Sequence, residues 1–320
     1  MNKLKFPQKP KLVYMGTPDF AVPALEALIH NRYDILAVVT QPDRPKGRGR
    51  KLSAPPVKSL AQKNSIEVLQ PEKVSSQKFY NLLREKAPDL IIVVAFGQIL
   101  NKPLLDIPEW GVINIHASLL PKYRGAAPIQ RAVLNNESVT GLTIMHMDER
   151  LDQGHILFQE EVPISANETS GSLHDRLSSI SGDLLINFLR SVAGKSIEGI
   201  PQENSQTTYA HKIDRDMAKI DWTQDAVAIS CLIRALDPWP GAYTKFDNKD
   251  VKLFSPTVIN DSFSDATPGK VVNCSKNGLC IETGKGAISV KEILYPGKKR
   301  LHYSDFIRGF NLPEGTILGE

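Results

Sequence analysis

The stretch Leu12 to Thr40, LVYMGTPDFAVPALEALIHNRYDILAVVT, decides the fold. Leu12–Met15 is a short apolar run that reads as a strand, and it opens into the turn Gly16-Thr17-Pro18-Asp19-Phe20. Val22, Leu25, Leu28 and Ile29 then recur at helical spacing, and Ile35–Thr40 forms a second strand. The alternation continues outward. A helical Phe79–Lys86 with Phe79, Leu82 and Leu83 apolar precedes a buried strand Leu90–Ala95, followed by strands at Val112–Ala117 and Leu142–Met147. Strands alternating with helices predict an α/β domain with a doubly wound, mostly parallel sheet, which binds ligands at the carboxyl ends of its strands. The turn GTPDFAV has only Gly16 and lacks GxGxxG spacing, which disfavours a nicotinamide dehydrogenase.

The pattern changes after about residue 195. KSIEGIPQENSQTT (residues 195–208) is polar, aperiodic and broken by Pro and Gly, the composition of a linker. The expected division is a first domain over 1–195, a linker over 196–210 and a second domain over 211–320. In the last, Ile229, Leu232, Ile233 and Leu236 mark a helix that Pro238 and Pro240 end. Five short strand candidates follow at Ala242–Phe246, Val251–Ser255, Lys270–Cys274, Leu279–Glu282 and Ala287–Ile293, with a hairpin signal at Asn277-Gly278. They fit a small, OB-like (oligonucleotide-binding type) β-barrel.

The 320 residues, 41% hydrophobic and 23% charged, suit two globular domains and exclude a disordered or collagen-like chain. The longest apolar run, Leu90–Phe96, falls far short of the ~18 residues that span a bilayer, so no membrane partner is expected. The N-terminal segment is basic but interrupted by Pro7 and Pro10, without the apolar region of an export signal. Cys231, Cys274 and Cys280 show no CxxC spacing, and a reducing cytoplasm is the expected compartment. A monomer is the expected state.

Net charge is only +4, but it is unevenly placed. QPDRPKGRGRKLSAPPVK (Gln41–Lys58) holds Arg44, Lys46, Arg48, Arg50, Lys51 and Lys58 against Asp43 alone, six cations less one acid, or +5. Its prolines and glycines exclude a continuous helix or central strand, so an irregular segment displays the cations. Phosphate is the natural partner of such a cluster, although a solvated surface loop has the same composition.

Chemistry concentrates in GVINIHASLLPKYRGAAPIQR (Gly111–Arg131). Asn114 and His116 lie two apart on a predicted strand and project to one face, where an amide can stabilise charge on a carbonyl oxygen and an imidazole can move a proton. Taken alone, such a pair is more often a structural polar contact near a strand end. Downstream, Asp148, Glu149 and Asp152 follow the strand ending at Met147, and Asp152 could face His116 or simply form a turn. The other histidines show no metal-ligand spacing, so no metal is expected, and there is no GxSxG elbow.

These stretches carry a resemblance across nearly the whole chain. MGTPDFAV (Met15–Val22), TQPDRPKGRGRKL (Thr40–Leu52), NIHASLLPKYRGAAPIQ (Asn114–Gln130), LDQG (Leu151–Gly154), IDWTQDA (Ile220–Ala226) and DPWPG (Asp237–Gly241) resemble the methionyl-tRNA formyltransferases. SLLP followed by RG marks the wider group of folate-dependent formyltransferases, and the basic loop and second domain narrow it. The resemblance implies a Rossmann-like domain followed by an OB-like, tRNA-contacting barrel. It implies formyl transfer from 10-formyltetrahydrofolate to the α-amino group of methionine on initiator tRNA. Asn114, His116 and Asp152 fall on the catalytic positions. Ser118, Leu119, Leu120 and Pro121, with Phe96, Gly97, Gln98, Ile99 and Leu100 along the pterin pocket, fall on folate positions. Arg44, Lys46, Arg48, Arg50 and Lys51 fall on the tRNA-engaging loop, with Arg48 at the acceptor end. Ala117 replaces the family's glycine after the histidine. The alternatives are a formyltransferase acting on an amino sugar nucleotide and a noncatalytic tRNA-binding protein.

Overall fold

A computed structural model describes residues 5–46, 51–259, 267–275, 278–310 and 312–319. The chain forms two compact units, Met1–Gly125 with Thr140–Val162 and His174–Ala210, and Ala126–Val139 with Pro163–Leu173 and His211–Glu320.

The first unit begins with β1 (Lys11–Gly16), α1 (Val22–His30) and β2 (Asp34–Val39), and β1 and β2 pair in parallel. A short hairpin, β3 (Arg44–Lys46) and β4 (Lys51–Ser53), then precedes α2 (Pro56–Lys63), β5 (Val68–Leu69), α3 (Gln77–Lys86) and β6 (Leu90–Val94). Next come α4 (Lys102–Leu105), β7 (Val112–His116) and β8 (Arg124–Gly125), and after α5 (Pro128–Leu134) the strands β9 (Val139–His146) and β10 (Ile156–Pro163). The long helix α6 (Ser170–Val192) and β11 (Tyr209–Ala210), paired with β8, complete this part. The main sheet runs β10-β9-β7-β6-β1-β2-β5, parallel from β7 to β5, with β9 antiparallel to β7. The chain leaves β1 toward β2 on one side while β6 lies on the other. This is the topological switch where a doubly wound sheet opens a crevice. β6 is buried throughout because both its faces are covered, which explains its continuous apolar run. Its core includes Val13, Met15, Val39, Leu83, Ile91 and Val93.

In the second unit, α7 (Ala226–Ala235) packs on α5 and on β13 of an antiparallel sheet. That sheet is formed by β12 (Tyr243–Phe246), β13 (Lys249–Ile259), β14 (Val271–Ser275), β15 (Gly278–Glu282) and β16 (Ala287–Leu294), in the order β12-β13-β16-β15-β14. β17 (Leu301–His302) pairs with β16 and leads into α8 (Tyr303–Phe306). The OB-like sheet closes around Trp222, Ile233, Leu253, Ile281, Val290 and Phe306. Asn277 of the expected hairpin turn lies outside the described residues, and the strands flanking it pair antiparallel.

Three features differ from the sequence reading. The basic segment is a two-stranded hairpin where an irregular loop is expected; an isolated ribbon tolerates Pro45 because its free edge needs no further ladder bond. Residues 196–210 do not behave as a free linker but fold onto the first unit, with Ile200 bridged to Ile156 and β11 paired to β8. Gln202 and Thr208 among them serve as hydrogen-bond partners of the 123–124 and 152–154 backbone, where composition reads solvation. The second unit also takes in α5 and residues 163–173, because α5 packs against α7 rather than on the main sheet. Among the described residues no helix is long and apolar enough to cross a membrane.

The N-terminal arm is anchored. Phe6 is 1% exposed, meets Trp110 edge-on at 5.3 Å and exchanges backbone hydrogen bonds with Gly194 and Lys195. Phe6→Ala should therefore cost about 3–5 kcal/mol, read as a lowered urea midpoint of the first unit.

Candidate active site

β7 lies between β6 and β9, with Val93 opposite Asn114 and Thr143 opposite His116. The two-residue period puts Asn114 and His116 on one face. Asn114 is half-buried, and among the described residues its amide has no hydrogen-bond partner. His116 is 6% exposed, and its Nε2 lies 2.9 Å from the Tyr123 carbonyl oxygen. A carbonyl only accepts, so Nε2 carries the proton and Nδ1 is the nitrogen that gains or loses one. Nδ1 faces Asp152 Oδ2 at 3.8 Å. The sequence thus places three candidates on two segments, and the structure brings His116 and Asp152 together beside Asn114.

Two glycines make this approach possible. Gly125 at φ +123° donates its N–H to Asp152 Oδ2 at 2.8 Å, and a Cβ there would lie 2.8 Å from the Ala210 oxygen. Gly154 lets the turn after Asp152 pack on β9; a Cβ there would sit 1.7 Å from the His146 oxygen. Asp152 itself has φ +51°, a left-handed conformation that Asp tolerates better than most side chains. Ala117, where the family motif has glycine, follows β7 at 9% exposure.

The segment after β7 is pinned to β9 and β10. Thr143 Oγ1 donates to the Ser118 carbonyl and accepts from Leu120 N–H, and Gln159 Nε2 donates to both Thr143 Oγ1 and the Leu120 carbonyl. Ser118 Oγ donates to the Lys122 carbonyl. Leu120 is buried, and Leu119 and Pro121 are half-buried. At the switch point, Thr17 Oγ1 and Gln41 Nε2 both donate to the Phe96 carbonyl, at 2.8 and 3.3 Å, joining the turns after β1, β2 and β6. Phe96 and Leu100 point into the core, and Gln98 Oε1 accepts from Val74 N–H. Gly97 and Ile99 alone of this group are exposed, Ile99 at 87%.

Of the basic set, Arg44 and Lys51 are exposed on the hairpin, Lys46 contributes backbone to β3, and Arg48 and Arg50 lie outside the described residues. Lys58 is not part of a free patch. It pairs with Asp43 at 2.8 Å, and Gln70 adds a bond to the same carboxylate. The Lys58 hydrogen bond, then that from Gln70, holds the Asp43 carboxyl below its usual range. The segment's only acid is thereby neutralised, and its +5 falls on the five remaining cations.

Four further residues shape the site. Arg124, 2% exposed, gives Nε and Nη2 to Gln202 Oε1, and Gln202 Nε2 donates to the carbonyls of Asp152 and Gly154. Thr208 accepts Tyr123 N–H on its hydroxyl and Arg124 N–H on its carbonyl, and Gly125 closes the set. An arginine beside glycine after SLLP is the only signal the sequence carries for them. No cluster of three or more His, Cys, Asp or Glu suited to a metal occurs among the described residues.

A formyl transferase family model matches residues 10–189, and a formyl transferase C-terminal domain model matches 212–311. "Methionyl-tRNA formyltransferase" of Acetivibrio thermocellus is 42% identical over 310 residues, 97% of this chain and 100% of that one. The protein of the same name from Syntrophus aciditrophicus is 46% identical over 311 residues, covering 97% and 99%. The chain belongs to the methionyl-tRNA formyltransferase family. Solved structures similar to this member of the family are more distant. A sugar 3N-formyl transferase, WlaRD, solved with dTDP and 5-N-formyl-THF, has a TM-score of 0.66 at 20% identity, covering 91% of this chain and 99% of that one. HypX from Aquifex aeolicus, solved with tetrahydrofolic acid, has a TM-score of 0.62 at 17% identity over 94% of this chain, which spans about half (47%) of HypX. At these identities the likeness is one of fold.

Burial, and then the nearby charge of His155, lowers the His146 pKa from 6.5. The unfolded chain binds a proton near that value that the folded chain excludes, so stability falls as pH drops through it. Urea titrations between neutral pH and about pH 5 should show a smaller loss of stability for His146→Gln than for the parent.

Proposed function

We propose that Asn114, His116 and Asp152 carry out formyl transfer from 10-formyltetrahydrofolate to the α-amino group of methionine on initiator tRNA, in the cytoplasm and for translation initiation. The observation that carries the reading is the unengaged Asn114 amide on the same face as a histidine whose Nδ1 is backed by a carboxylate. The donor set fits a formyl group. Two N–H donors on Asn114 stand ready where no acceptor among the described residues uses them, as the oxygen of an attacked carbonyl requires.

The formyl folate supplies an electrophilic carbon bonded to a nitrogen leaving group. Asn114 Nδ2 donates to the formyl oxygen as negative charge builds on it during amine attack. His116 Nδ1 takes up the proton shed by the amine and returns one toward the leaving nitrogen, while the Tyr123 carbonyl keeps Nε2 protonated throughout. Asp152 stabilises the imidazolium and orders water between donor and acceptor nitrogens. Ser118 to Pro121 and the exposed Gly97 and Ile99 flank the folate, with Phe96, Gln98 and Leu100 supporting that wall from behind. Arg44, Lys46, Arg48, Arg50 and Lys51 neutralise acceptor-stem phosphates, and Arg48 engages the end of the stem. An amino sugar nucleotide acceptor would leave these five cations without a task.

Asn114→Ala should lower kcat by about 10²–10³ in a formylation assay with Met-tRNA, with little change in folate KM. Wild-type turnover in that variant, or in His116→Ala, would remove the assignment. Neutralising Arg44, Lys46, Arg48, Arg50 and Lys51 together should raise the KM for tRNA, flatten its dependence on salt and leave the KM for folate in place. Arg48→Ala alone should blunt the preference for initiator over elongator Met-tRNA, and a preference equal to wild type would deny Arg48 that role.

A further inference from the structure

We infer that Gln202, from the segment whose composition reads as a linker, is a positioning residue for the reaction, acting through Asp152. The inference rests on the catalytic reading of Asp152. Four bonds saturate the carboxamide. Oε1 accepts from Arg124 Nε at 2.9 Å and Nη2 at 2.7 Å, and Nε2 donates to the Asp152 carbonyl at 2.9 Å and the Gly154 carbonyl at 2.7 Å. A guanidinium only donates and a carbonyl only accepts, so the amide has one orientation that satisfies all four. Arg124 is 2% exposed, and its charge pulls electron density toward Oε1, which strengthens the N–H donors on the other side.

The consequence falls on Asp152. Its φ of +51° is sparsely populated for a residue with a side chain. One Gln202 donor holds the carbonyl of that residue and the other holds the carbonyl two residues later, so the turn is gripped at its strained point and just beyond it. The carboxylate is gripped separately by Gly125 N–H at 2.8 Å. Backbone and side chain fixed together leave Oδ2 facing His116 Nδ1. Gly125 lies next to Arg124, and β8, which contains both, pairs with β11 just beyond Gln202. Both grips on Asp152 thus derive from one fold of chain 200–210 against 124–125.

Gln202→Glu separates the two halves of this arrangement. The carboxylate still accepts from Arg124, but its second oxygen faces two carbonyl oxygens that it cannot donate to. The variant should lower kcat by about 10- to 100-fold, with the KM for folate and for Met-tRNA within about twofold of wild type. In an Asp152→Ala background it should add little further loss, because the residue it positions is gone. Wild-type kcat, a raised KM at unchanged kcat, or an equal loss in the Asp152→Ala background would each overturn the inference. Gln202→Met, which leaves the carbonyls unpaired without opposing them, is read the same way if Gln202→Glu does not fold. Wild-type turnover in Asp152→Ala would sink the catalytic reading itself. Loss in Asp152→Ala with wild-type turnover in both Gln202 variants would sink only the positioning role.

Discussion

The hydrogen bond from His116 Nε2 to the Tyr123 carbonyl sets the terms for everything else at this site. It consumes one imidazole nitrogen on an acceptor that cannot donate, and so leaves Nδ1 as the nitrogen free to gain or lose a proton. A carboxylate is then useful only on the Nδ1 side, where Asp152 lies. The same bond requires Tyr123 to stay in register. Its N–H is held by the Thr208 hydroxyl, and the next residue is held by the Thr208 carbonyl. A tautomer on β7 therefore depends on residues about ninety positions downstream in the chain, through backbone contacts rather than through side-chain charge.

Much of the scaffold was legible in the sequence because it follows from periodicity. The unbroken apolar run Leu90–Val94 is β6, covered on both faces, and Val22, Leu25, Leu28 and Ile29 are on α1. The alternation of Asn114 and His116 with apolar neighbours similarly marks one polar face of β7, a strand buried except at the half-buried Asn114. α6 was missed. Its buried face carries Leu173, Leu177, Leu184, Leu185, Phe188 and Leu189 at helical spacing, interrupted by the buried Ser178 and Ser181, which donate to the carbonyls of Phe20 and Ser178. The hairpin β3–β4 was hidden by Pro45 and two glycines, which are strong turn signals locally but do not exclude an isolated ribbon.

Candidate site residues separate along the same physical line. A residue whose chemistry is carried by its own side chain, such as His116 or Asp152, can be singled out by type and spacing. One that works by satisfying its neighbours' backbones cannot. Gln202 and Thr208 sit in a tract of Gln, Asn, Ser and Thr, where composition argues for solvent. Their polar groups instead face carbonyls and amides of the 118–125 and 152–154 turns, which would otherwise be buried without partners. Polarity in such a segment measures hydrogen-bonding capacity, and the fold decides whether water or backbone takes it up.

The basic hairpin shows the electrostatic counterpart. Net charge over the segment treats Lys58 as equivalent to the other cations, yet Lys58 is bound to Asp43, and Gln70 fixes the same carboxylate while also donating to the Gln41 carbonyl. This pair sits at the base of the ribbon and joins it to the turn after β2, whose Gln41 side chain reaches the Phe96 carbonyl at the switch point. The internal ion pair thus anchors the ribbon beside the crevice, and the exposed Arg44 and Lys51 are not drawn into it. Because exposed charges lose most of their mutual field within a Debye length of ~8 Å, this separation of anchoring from displayed charge matters: an acid left unpaired at the ribbon's base would partly cancel the field of the nearest of those cations.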